Sequence, residues 1–122
     1  MKYLLSIYGN DEIWSSFSPE EFAELVAATD AHNQAMVATG ELLFACGVAD
    51  QADAKRVRSS GSGTTVVTDG PYIETKEYLG SFYIVECDSL ERAQELAAQM
   101  PSARHTDIEI RALLHGGSPD DL

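Results

Sequence analysis

Ser18-Pro19-Glu20-Glu21 writes out a helix start in full. A serine cap accepts from exposed backbone N–H groups, proline has no N–H to lose at the first helical position, and a glutamate three residues after the cap reaches back to it. The helix this predicts runs to about Thr39, where Gly40 stops it. At helical spacing Phe22, Leu25, Val26, Thr29, Asn33, Met36 and Val37 share one face, with His32 on its flank. Thr29 and Asn33 are polar intrusions on an apolar stripe, so they mark either a satisfied core network or the wall of a polar cavity.

The period changes on both sides of that helix. Residues 2–8 alternate as a strand that Gly9-Asn10-Asp11 ends, and residues 12–17 form a connector pinned by Trp14 and Phe17. Residues 41–48 are a second, apolar strand, followed by a loop of small and acidic residues to Ala54. Residues 56–59 and 64–68 alternate around Ser60-Gly61-Ser62-Gly63, which reads as a hairpin. Residues 81–87 read as a central strand. Asp88 caps the next helix with Glu91 completing the box, Leu90, Ala93, Leu96, Ala97 and Met100 form its buried face, and Pro101 lies past its end. Residues 106–114 alternate with Ile108 and Ile110 inward, and residues 116–122 form a polar tail expected to fray after a single domain over residues 1–115.

Without the hairpin the order is strand, helix, strand, strand, helix, strand. That is an α+β chain of the ferredoxin-like, split βαβ kind: one antiparallel sheet with two helices on one face. The other face then needs a cover. Apolar or aromatic side chains such as Tyr3 or Phe82 are candidates for it, and a second copy closing a two-sheet homodimer is the simplest solution.

Twenty acids against eight bases leave a formal net charge of −12. That argues against nucleic acid and against anionic membrane surfaces, both of which need phosphates to be neutralised. No apolar run approaches the length of a membrane span, and the opening residues lack a signal-peptide cleavage site, so a cytoplasmic protein is expected. Cys46 and Cys87 stand far apart in apolar runs. They read as small buried hydrophobes in a reducing compartment, with a disulfide or a reactive thiol as the alternatives.

The stretch over residues 68–83, TDGPYIETKEYLGSFY, exceeds the needs of a turn. Asp69-Gly70-Pro71 fixes the backbone, Glu74-Thr75-Lys76-Glu77 adds charge, and Gly80 releases the chain into an aromatic strand. A hairpin connection needs only about two to five residues. The run Asp-Gly-Pro-aromatic, Glu-Thr-Lys-Glu, Leu-Gly-x-aromatic-Tyr resembles the signature of the YCII-related domain in its DGPF-type branch, with Tyr72 where that branch usually has Phe. The likeness extends from MKYLLSIYG through MPSAR to the last strand.

The resemblance implies a dimeric α/β-barrel architecture and a pocket between the first long helix and the sheet; no cofactor is expected. It also implies a histidine–aspartate pair for acid–base work. Asp69 matches the motif aspartate. The family's histidine position falls on Thr29, and His32 comes three residues later on approximately the same face. The catalytic candidates are therefore His32 and Asp69. Tyr8, Thr29, Asn33, Arg58, Tyr72, Lys76 and Glu77 are candidates for contact with a small polar or anionic ligand. Each has a plainer reading: a packing histidine at His32, backbone N–H acceptance within the turn at Asp69, and a loop-anchoring ion pair at Lys76 and Glu77. No metal site is expected, since His32, Asp69 and Glu77 carry no ligand spacing. Two functions follow: a cofactor-free lyase, isomerase or hydrolase acting on a small polar metabolite, or a non-catalytic ligand-binding module. The resemblance connects the second with transcription regulators.

Overall fold

The computed structural model describes residues 1–70 and 76–122. Strand β1 (Lys2–Gly9) lies inside a four-stranded antiparallel sheet, between β5 (Tyr78–Glu86) and β6 (Ile108–Ala112). Strand β2 (Leu42–Gly47) pairs with the outer side of β5, so the order is β2-β5-β1-β6. Strands β3 (Lys55–Ser59) and β4 (Thr65–Asp69) form a separate two-stranded sheet. The helices are α1 (Asp11–Ser15), α2 (Pro19–Thr39) and α3 (Leu90–Ala98).

Pairing fixes which side chains meet. Opposite residues in a ladder share a face, and Tyr3 opposes Val85 while Leu5 opposes both Tyr83 and Ile110. These bury with Ile7, with Met36 of α2 and with Ala93, Leu96 and Ala97 of α3 in one core, so both long helices lie on one face. Ile108 and Ile110 pack against that core as their alternation predicted. The opposite face carries Leu4, Phe44, Phe82 and Ile84. Phe44 and Phe82 stack there at 5.9 Å, with Phe44 52 % exposed. Of the two candidates for the open face, Tyr3 points into the core and Phe82 takes the open face.

The predicted cap of α2 is present in both directions: Ser18 Oγ accepts from Glu21 N at 3.1 Å, and Glu21 Oε1 accepts from Ser18 N at 3.0 Å. Gly40 closes the helix with φ +79°, a conformation that a Cβ disfavours. The inward stripe differs from the expected one. Leu25, Thr29, His32 and Asn33 are half-buried and Met36 is fully buried, while Phe22, Val26 and Val37 are exposed. The stripe is rotated toward His32, so the valines on its other edge fall outside the contact zone.

Other boundaries shift by single residues or turns. The connector before α2 folds as α1, whose cap Asn10 accepts from Ile13 N at 2.8 Å. Ser89, and not Asp88, caps α3 by accepting from Arg92 N at 3.1 Å, and Leu90 in the first turn is exposed. Strand β5 starts at Tyr78, ahead of the expected Ser81. The tail holds a 3-10 turn, Pro119–Asp121, capped by Ser118. Cys87 is buried as expected and Cys46 is exposed on the open face opposite Phe82. Glu41 receives two 2.8 Å bonds from the Arg92 guanidinium and ties the α2–β2 junction to α3. Among the described residues no helix is long and apolar enough to cross a membrane.

Candidate functional site

The site is built where β2 runs out beside the start of β5. Val48 N donates to Gly80 O at 3.0 Å, which extends the β2–β5 ladder by one step. The chain then turns through Gln51–Asp53, where Asp50 Oδ1 caps by accepting from Ala52 N at 2.8 Å. A bulge at Gly80, between the Ile7–Ser81 and Tyr8–Leu79 pairs, re-aims the first residues of β5. The result brings Val48, Ala49, Asp50 and Gln51 against Tyr78 and Leu79, and this wall is shared by two cavities.

The first cavity, about 380 Å³, opens on the helix side beside Ile7, Gly9, Trp14 and Phe22. The second, about 480 Å³, opens beside Tyr8, Asp53, Ala54 and Glu77. Gly9 is what lets Trp14 lie on the sheet: a Cβ there would fall 2.3 Å from the indole ring. Behind Trp14 an aromatic stack continues through Phe17, which meets Trp14 at 6.4 Å, Phe22 at 6.5 Å and the His105 ring edge-on at 4.7 Å. The charged lining is acidic: Asp11 and Asp50 in the first cavity, Asp50, Asp53 and Glu77 in the second, with no lysine, arginine or histidine in either among the described residues. Gln51 Oε1 is buried beside that wall with no hydrogen-bond partner among the described residues.

The predicted site residues fall into three groups. Tyr8 and Glu77 line the second cavity, and the Tyr8 hydroxyl donates to Glu109 at 3.5 Å. His32, Thr29 and Asn33 sit on the inner stripe of α2, away from both cavities. His32 Nε2 meets the Leu96 carbonyl at 3.2 Å and so bridges α2 to α3. Burial pushes the Tyr83 hydroxyl up, with the Asn33 side chain opposing the shift and Asp30 adding to it, and among the described residues Asn33 Oδ1 is buried with no hydrogen-bond partner. Asp69 and Arg58 belong to the hairpin. Asp69 pairs with Lys55 at 2.5 Å across β3 and β4, and Arg58 lines a shallow hollow with Val57, Val66 and Thr68. Lys76 accepts a 3.5 Å bond from Asn10 through its carbonyl. Tyr72 lies outside the described residues.

His32 and Asp69 are not brought together: among the described residues no hydrogen bond and no cavity joins them. No three His, Cys, Asp or Glu side chains converge on a metal position among those residues. The wall residues Asp50, Gln51 and Tyr78, with Trp14, went unselected in the sequence. The available signal was an acidic loop directly after an apolar strand, and nothing in the chain order tied that loop to Tyr78.

Residues 1–115 match the YCII-related domain, and the chain belongs to that family. It is 31 % identical over 115 residues to an uncharacterized protein of Rhizobium meliloti (strain 1021), covering 93 % of this chain and 92 % of that one. A similar fold is that of 5-chloro-2-hydroxyhydroquinone dehydrochlorinase from Burkholderia phenoliruptrix AC1100, solved with 2,5-dihydroxybenzoquinone. The TM-score is 0.55 at 16 % identity, over 95 % of this chain and 96 % of that one.

Proposed function

We propose that this protein is a small cofactor-free enzyme, a lyase in the first instance, that binds a compact hydroxylated ring at the wall formed by Val48–Gln51 and Tyr78–Leu79. The observation that carries the reading is the pair of cavities on that wall, apolar and aromatic in their lining and edged with carboxylates. Trp14 and Tyr78 offer faces for a flat ring. One oxygen of Asp50 is held by Ala52 N, which leaves the other to take the hydroxyl proton of the ring's keto tautomer. That O–H pair becomes a carbonyl π bond, and the bond from the saturated ring carbon to the leaving group breaks with the pair going to the departing anion, a net loss of HX. Tyr78, on the same wall, is placed to hydrogen-bond a ring oxygen. Tyr8 and Glu77 extend the contact surface on the far side. The likeness in fold to a dehydrochlorinase gives the ring class its starting point.

In this reading acid–base work falls to Asp50, with His32 and Asp69 engaged in packing and in the hairpin ion pair. The strand order and pairing support a ferredoxin-like, split βαβ description, and Asp69-Gly70-Pro71 supports the DGPF-type branch. The exposed apolar face holding Leu4, Phe44, Phe82 and Ile84 supports a homodimer that closes sheet against sheet as a two-sheet α/β barrel. A single domain over residues 1–115 with a short tail, and a cytoplasmic setting, complete the proposal.

The test is chloride release from 5-chloro-2-hydroxyhydroquinone. Wild-type protein releases chloride and Asp50→Asn does so about 10²–10⁴-fold more slowly. Saturable binding without release favours the ligand-binding module instead, and absence of both removes the ring assignment.

A further inference from the structure

Among the described residues the hairpin is held only weakly to the rest of the fold. An isolated two-stranded ribbon is marginal in water. Among the described residues neither β3 nor β4 packs closely on any element but the other. Val57 and Val67 oppose each other across the ladder at 68 % and 59 % exposure, and Val66 is also exposed. In charge the hairpin is the inverse of the chain. It holds three of the eight bases, Lys55, Arg56 and Arg58, against the single acid Asp69, in a protein of net charge −12. Lys55 is neutralised locally by Asp69, and Arg58 makes no ion pair among the described residues.

The cavity wall has the complementary shortage. Asp50, Asp53 and Glu77 edge the second cavity with no base among the described lining residues. The hairpin leaves the body at Ala54, whose carbonyl accepts from Gly70 N, at the rim of that cavity. Strands of this length reach about 16 Å beyond such a root.

We propose that the β3–β4 hairpin is an exchange arm: in the homodimer it docks across the acid-edged mouth of the second cavity of the partner copy. There it buries the Val57–Val67 pair and sets Arg58 against Asp53 and Glu77. The two arms are related by the dimer axis, so one contact made twice satisfies both shortages. The partner's Arg58 then supplies the cation that each cavity lacks, and an acidic ring substituent bound there is neutralised by the other subunit. The inference rests on the two-copy reading above.

Two measurements on the full chain test it. In a Cys46→Ser background, proteins carrying Asp53→Cys and Arg58→Cys are mixed and mildly oxidised. A disulfide-linked dimer forms in the mixture and in neither variant alone. No cross-link in the mixture overturns the arm. In sedimentation equilibrium, Arg58→Glu raises the dimer Kd about tenfold, and adding Asp53→Lys restores it. A dimer indifferent to Arg58→Glu overturns the arm and leaves sheet-on-sheet pairing standing, whereas a monomeric wild type removes the two-copy reading itself.

Discussion

The four-stranded sheet and the β3–β4 hairpin are both antiparallel, yet they are held by different means. In the sheet, each ladder pair on the inner face delivers its side chains to Met36, Leu96 and Ala97, so backbone pairing and apolar burial reinforce each other. In the hairpin the same kind of ladder carries Val57 and Val67 into water. Hydrogen bonding lays out both. Burial stabilises only one, because the net worth of a ladder bond is small when the alternative partner is solvent. Within a single copy, stability therefore resides in the sheet and its two helices, and the hairpin is stability-neutral.

The largest effect that sharpens this contrast is Leu96→Ala. Leu96 is 2 % exposed at the centre of the α3 face, and its truncation costs about 2–5 kcal/mol by urea denaturation. A loss of the same size from Val57→Ala in monomeric protein at high dilution would break the contrast. Next comes Gly9→Ala, whose new methyl displaces Trp14 from the sheet. It costs about 1–3 kcal/mol and also shifts the tryptophan emission, which a purely local strain would leave unmoved.

Glu41→Gln is smaller and depends on pH. The Arg92 guanidinium holds the Glu41 carboxyl below its ordinary range, and Thr39 contributes further. Its folded-state pKa is thus below the unfolded one, so this contribution is present at neutral pH and is lost as pH falls through the carboxylate range. Stability measured from neutral to acid pH should decline less steeply in Glu41→Gln. Glu21, held down first by the Ser18 backbone N–H and then by its side chain, titrates in the same direction and remains in both proteins. Tyr83 acts oppositely: its raised pKa keeps its contribution intact until alkaline pH ionises the unfolded chain. The smallest effect is Val67→Ala in monomeric protein at high dilution, where the urea midpoint moves by less than about 0.5 kcal/mol equivalent.

Much of the sheet was legible because period and caps are local. The box at Ser18 and Glu21, the stop at Gly40 and the inward Ile108 and Ile110 all depend on residues within a few positions of one another. Errors entered where two adjacent residues could do the same job, as with Asp88 and Ser89, or where tertiary packing chose the rotation of α2. The site was mostly illegible for a related reason. Asp50 and Tyr78 become neighbours only through the β2–β5 ladder, and the bulge at Gly80 that aims them leaves no mark on periodicity. His32 drew attention as a titratable group on an apolar flank. The carbonyl it meets belongs to Leu96, which no reading of α2 alone could supply.

Trp14 is the only tryptophan in the chain and lines the first cavity, which makes it a reporter at the proposed ring site. Titration with 5-chloro-2-hydroxyhydroquinone, corrected for absorbance, should quench its emission saturably, with Tyr78→Ala weakening the apparent affinity by at least about tenfold. An emission that stays unchanged, or a quench that Tyr78→Ala leaves as tight as wild type, would contradict the assignment of the Val48–Gln51 and Tyr78–Leu79 wall as the place where this protein holds its ligand.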